Sequence, residues 1–231
     1  MPLTLNTRFA GNIYIIHCAG SIVLGPEAKL LEAAFDQAID YSFNQFVLCL
    51  SEADRLDSIG IGLLVRFAER LRRRGGDIRL AAPPPFVTKL LDLTGLSATL
   101  HTYPTEEEAI VSFLRQPAPA DAQQPKGPRV LFVDDSPDLC VFVRSVLRLH
   151  GFNVTTSNLI RDARILLRVD GADYLLAGPG TLQLPADTVL SSLQPFAPKA
   201  VPMRLPADFK SLDAEQATSA LLQLFNLQPT A

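Results

Sequence analysis

Leu56-Asp57-Ser58-Ile59-Gly60-Ile61-Gly62-Leu63-Leu64 closes one apolar segment and opens another. The segment before it, Phe46 to Leu50, is almost continuously hydrophobic, as in a strand covered on both faces. After it, Ile61, Leu64, Val65, Ala68 and Leu71 recur at helical spacing. Arg66, Arg70, Arg72, Arg73 and Arg74 crowd the later part of that helix, where cations complement the dipole, and Gly75-Gly76 stops it. Asp57 is placed to cap the helix by accepting a backbone N–H. Ser58 then falls in the first turn, where an anion meets unpaired N–H groups and the positive end of the dipole. Phosphorylation there would add roughly −1.5 to −2 charges. Asp-Ser-x-Gly before a helix is also ordinary capping, so these residues alone do not separate a switch from a cap.

Working outward, the spacing predicts strands at 3–9 and 13–19 around a Gly11-Asn12 turn, and a helix from Pro26 to about Asp40. Beyond the central helix it predicts a strand at 77–82, a helix at 86–93, a short strand at 98–103 and a helix opened by the Thr105–Glu108 capping box. Residues 116–128 hold four prolines and no apolar period, which reads as a linker. The 231 residues therefore divide into two α/β domains, 1–115 and 129–231. A formal net charge of −3 argues against a bulk polyanion binder, and only Phe67 interleaves with the arginines, so no nucleic-acid partner is expected. No apolar run reaches the ~18 residues of a membrane span, and the N-terminus shows no basic-then-apolar signal pattern, so the expectation is a cytoplasmic protein without membrane contact. Cys18, Cys49 and Cys140 sit apart in apolar sequence and read as buried thiols. His17 and His101 have no acid or thiol at ligand spacing in the sequence and read as structural.

The stretch from Leu3 to about Leu114 resembles a STAS domain, the fold of bacterial anti-sigma factor antagonists. The matching pieces are residues 20–27 (Gly-Ser-Ile-Val-Leu-Gly-Pro-Glu), the strand 47–51, the quoted motif 56–62, Arg74-Gly75-Gly76-Asp77-Ile78, Leu90 to Leu96, and Glu106 to Ala109. The resemblance implies a mixed sheet with helices. It also implies that Ser58 is phosphorylated by an anti-sigma factor with serine-kinase activity and restored by a PP2C-type phosphatase. Asp57, Ser58, Ile59, Gly60, Gly62 and Arg66 are then the partner-binding residues, with Gly60 and Gly62 keeping the approach to Ser58 uncrowded. Val23 stands where many antagonists carry an acid, and Ile59 replaces the second hydroxyl residue of the common Asp-Ser-Ser-Gly form.

The second half restarts with Arg129-Val130-Leu131-Phe132-Val133-Asp134-Asp135-Ser136, a buried strand ending in two acids. This resembles the first loop of a response-regulator receiver, which implies a flavodoxin-like parallel sheet. Paired acids there would hold Mg²⁺. The phosphoacceptor position falls on Ala177 or Gly178, neither of which can form an acyl phosphate, and Leu205 stands where a receiver has lysine. The interval 179–205 leaves room for one βα unit fewer than usual. The reading is a shortened pseudo-receiver used for protein contact or homodimerisation, with Asp134 and Asp135 as relics or helix caps ahead of a metal site.

Taken together, these readings predict a partner-switching regulator of transcription with no cofactor and no catalytic activity, since P-loop, nucleophile–base pair and metal-type clusters are absent from the sequence. Two other readings remain open: a constitutive adaptor or scaffold in which Ser58 is only a cap neighbour, and an accessory STAS protein handling a small ligand or lipid.

Overall fold

The computed structural model describes residues 1–41, 43–115, 127–179 and 184–227. It divides into two compact units, Met1–Arg8 with Asn12–Pro119, and Phe9–Gly11 with Ala120–Ala231. Most of the predicted linker, 116–126, lies outside the described residues.

The N-terminal unit carries most of strand β1 (Thr4–Ala10) and all of β2 (Ile13–Ile22), β3 (Gln45–Leu56), β4 (Asp77–Ala81) and β5 (His101–Tyr103), in the spatial order β5-β4-β3-β2-β1. β2, β3, β4 and β5 pair in parallel, and the tight turn Gly11-Asn12, with Gly11 at φ 64°, joins β1 to β2. Helix α1 (Pro26–Asp40) crosses from β2 to β3, α2 (Ser58–Arg72) from β3 to β4, and α3 (Pro85–Leu93) from β4 to β5, with α4 (Glu106–Leu114) following. The core is aromatic where α1 and α2 meet the sheet: the Phe35 ring stacks on Phe46 at 4.7 Å and on Phe67 at 3.8 Å.

Phe46 to Leu50 are all buried, as a continuous apolar run requires. The strand runs on to Leu56, beyond that run. Its extension pairs Glu52, Ala53, Arg55 and Leu56 with Ala19, Gly20, Ser21 and Ile22 across two register shifts. The extension carries charged, exposed residues, so no apolar signal marks it. β5 begins three residues later than its apolar pattern suggests, because the amides of Thr99 and Leu100 both donate to the Leu96 carbonyl in a helical turn.

The C-terminal unit holds β6 (Arg129–Val133), β7 (Asn153–Ser157), β8 (Tyr174–Ala177) and β9 (Val201–Arg204), in the order β7-β6-β8-β9 with every pairing parallel. Helices α5 (Pro137–Leu149), α6 (Ile160–Asp170), α7 (Ala186–Leu193) and α8 (Ala214–Leu224) connect and close it. Phe225, at the end of α8, packs edge-on against Phe152 at 5.0 Å and Tyr174 at 5.3 Å. Among the described residues, no helix is long and apolar enough to cross a membrane.

Candidate functional site

Asp57 sits in extended conformation as the N-cap of α2, and its Oδ1 accepts the Gly60 amide at 2.7 Å. Its Oδ2 accepts the Leu24 amide at 3.1 Å, so one carboxylate ties the start of α2 to the loop before α1. The Gly60 hydrogen bond, with help from the Leu24 and Ile59 amides and Arg55, holds the Asp57 carboxyl below the usual carboxylate range despite partial burial. The cap is therefore charged at neutral pH. Replacing Asp57 by alanine is expected to cost about 1 kcal/mol of stability at pH 7 in urea titrations. Because the folded carboxyl is depressed, its contribution is present above the ordinary aspartate range and lost as pH falls through the folded value, so the wild-type advantage should shrink in acid.

Ser58 is the first residue of α2 and is exposed. Two large apolar side chains flank it in space or sequence: Ile59 is 44% exposed and Leu24 is 70% exposed. Leu24 is brought there by its amide bond to Asp57, a proximity that the sequence separation hides. Gly62 borders open space. Gly60 does not serve access as expected: it is buried, and a Cβ there would lie 2.4 Å from the Ile22 carbonyl oxygen. Its job is to let α2 pack directly on the end of β2. Arg66 is exposed and reaches Glu32 of α1 at 3.3 Å, while Arg70 meets Asp36 at 2.5 Å and Arg72 meets Asp77 at 3.0 Å. Much of the arginine stripe is thus engaged with acids of its own unit.

Sequence reasoning missed two clusters. His17, expected to be structural and without a polar ligand-type neighbour, lies with Nε2 2.7 Å from Glu106 Oε2. The Cys49 thiol donates to the same oxygen at 3.2 Å, and buried Arg8 pairs with Glu106 Oε1. Burial pushes the Glu106 carboxyl up, but the His17 contact, the Arg8 charge and the Cys49 thiol outweigh it and hold it down at about 2. His101 is partnered as well, with Nδ1 3.0 Å from an Arg79 guanidinium nitrogen.

The second cluster surrounds Asp134 and Asp135 at the end of β6. Asp134 is fully buried, and its Oδ1 accepts the Ser136 amide at 2.8 Å. Lys210 Nζ lies 3.2 Å from Asp134 Oδ1 and 3.2 Å from Asp135 Oδ1. Lys210 comes from a 3₁₀ turn at Phe209–Ser211, and Leu205 is buried. Burial drives the Asp134 carboxyl up more than Ser136 and Lys210 draw it down. Asp134 and Asp135, the candidates for a metal, share this single ammonium group. Ser136 rather than either acid caps α5, accepting the Leu139 amide at 3.3 Å.

Residues 4–109 match the family model of the STAS domain. A candidate anti-sigma factor antagonist of Thermotoga maritima is 29% identical over 82 residues, 36% of this chain and 73% of that protein. The candidate antagonist BtrV of Bordetella bronchiseptica is 25% identical over 99 residues, 43% of this chain and 85% of that protein. Among solved structures, an anti-sigma factor antagonist from Mycobacterium paratuberculosis is 26% identical with a TM-score of 0.44, over 48% of this chain and 92% of that one. Residues 4–109 are thus matched as a STAS domain, similar to those of anti-sigma factor antagonists.

Proposed function

We propose that the protein is a partner-switching regulator of transcription, without chemistry of its own, in which Ser58 is phosphorylated by an anti-sigma factor with serine-kinase activity and restored by a PP2C-type phosphatase. The observation that carries this reading is the position of Ser58: exposed, in the first turn of α2, beside exposed Leu24 and Ile59. A hydroxyl there is open to a kinase, and a phosphate formed there meets the amide end of α2. The apolar pair beside it offers a partner surface, and docking there would have to desolvate the roughly two negative charges of a phosphate. The phosphate's effect thus falls on the partner interface and leaves the fold intact.

The test uses the full chain with a serine-kinase anti-sigma factor encoded in the same genome, plus ATP. Mass spectrometry is expected to find phosphate on Ser58, and Ser58→Asp is expected to weaken binding at least ~10-fold by calorimetry. An unmodified Ser58, or unchanged binding by Ser58→Asp, would overturn the switch and favour the adaptor reading.

The division into domains 1–115 and 129–231 around a 116–128 linker belongs to the same proposal, with the C-terminal half as a receiver-like module that no longer takes phosphate. Its strand order β7-β6-β8-β9 follows the flavodoxin-type order with one strand fewer, which supports that reading. Gly178 at the end of β8 and the Lys210 bridge at the β6 acids support it further. Its role would be protein contact. Incorporation of phosphate from acetyl phosphate into this half would contradict it.

A further inference from the structure

We propose that His17, Cys49 and Glu106 bind a divalent transition metal of the zinc type. Among the described residues, these three side chains form a cluster in which an imidazole nitrogen, a thiol sulfur and a carboxylate oxygen all lie within 4.8 Å of one another. The fold builds the cluster from three separate places. His17 on β2 and Cys49 on β3 are direct partners in the parallel register, so their side chains emerge side by side on one face. Glu106 is the first residue of α4, and its Oε2 lies 2.7 Å from His17 Nε2 and 3.2 Å from Cys49 Sγ.

Those separations are slightly tighter than a coordination shell. Zinc takes nitrogen and oxygen at ~2.0–2.2 Å and sulfur at ~2.3 Å in a tetrahedron, which sets the donors roughly 3.3–3.6 Å apart. The His17–Glu106 pair must open by roughly half an ångström or more and the Cys49–Glu106 pair by a few tenths, while His17 and Cys49 lie within 4.8 Å of each other. Cys49 gives up its thiol proton to the buffer and binds as thiolate, His17 donates the Nε2 lone pair, and Glu106 donates Oε2. His17 is 38% exposed, which leaves a side from which water completes the fourth position. Arg8 holds Glu106 Oε1, and this outer hydrogen bond turns Oε2 toward the other two donors. The mixed nitrogen, sulfur and oxygen set selects zinc-type ions over magnesium or calcium, which take oxygen ligands. A bound ion would fasten the start of α4 to the centre of the sheet.

The test is titration of the chelator-treated full chain with Co²⁺ as probe. One equivalent is expected to produce a thiolate-to-cobalt charge-transfer band in the near ultraviolet with the visible bands of a tetrahedral site, and Zn²⁺ is expected to erase both. Cys49→Ser and His17→Ala should lose the band, whereas Cys140→Ser, which alters a buried thiol of the C-terminal unit, should keep it. Circular dichroism and thermal unfolding without metal show whether each variant is folded. His17→Ala carries the test if Cys49→Ser is not, because its ring is partly exposed and its loss leaves the Cys49 and Arg8 contacts to Glu106. No band in the wild type at saturating Co²⁺, or a band that survives His17→Ala, would overturn the site.

Discussion

Replacing Gly178 by alanine is expected to lower the stability of the C-terminal unit by about 2–4 kcal/mol, read as a fall in the urea midpoint of that unit. Gly178 directly follows β8, and its amide donates to the Val133 carbonyl at 2.9 Å, which fixes its place beside the end of β6. A Cβ there would lie 1.8 Å from Asp134 Oδ2 and 2.8 Å from Asp134 Cβ. Asp134 has nowhere to swing. It is fully buried, and its Oδ1 is held by the Ser136 amide and the Lys210 ammonium. Relief means breaking one of those contacts around a buried carboxylate or moving β8, and both are costly. Adding Asp134→Ala to Gly178→Ala should recover part of the loss, because the two nearest clashing atoms, Oδ2 and Cγ, are then gone while Cβ remains. A coupling of about 1 kcal/mol or more between the two changes is the expected signature. Additive losses would mean that the two residues do not touch as described.

The same place shows why a sequence reading stops short of a site. That no carboxylate follows β8 at 177 or 178 is legible, since position 178 is glycine and position 177 is alanine. That a lysine bridges the two acids is not, because Lys210 arrives from a short 3₁₀ turn with no periodic signal and 75 residues from Asp135. His17 fails in the same way. Its partners are a cross-strand neighbour on β3 and the first residue of α4, and only the strand register and the docking of α4 bring them together. Local signals fared better. Pro26 opens α1 and Asp57 caps α2 where capping chemistry places them, and the apolar run at 46–50 is buried throughout. The extension of β3 to Leu56 was hidden because its residues are polar and its pairing with β2 passes two register shifts. What could be read depended on chemistry within one turn or one strand; what could not depended on which strands and helices meet.

Gly60 and Gly62 divide on the same ground, and substituting each by alanine should move stability in opposite directions. Gly62→Ala is expected to raise it by about 0.5–1 kcal/mol, because the added Cβ meets open space and alanine loses less backbone entropy in a helix. Gly60→Ala is expected to lower it by about 2–4 kcal/mol, read in parallel urea titrations. A Cβ at 60 would come within 2.4 Å of the Ile22 carbonyl oxygen and 2.7 Å of Leu56 Cδ1. The leucine methyl can rotate, but the carbonyl cannot. It belongs to the last residue of β2 and accepts the Asp57 amide at 3.3 Å. Relief must therefore lift the head of α2 off β2, which pulls on Asp57 and changes the turn that presents Ser58. The two variants separate a structural glycine from a replaceable one within the same three residues. Equal effects would mean that α2 does not rest on the Ile22 carbonyl. If the predicted loss appears, the serine-bearing turn is held from below by backbone contact, and the exposed faces of Ser58, Ile59 and Leu24 are what remains free to engage a partner.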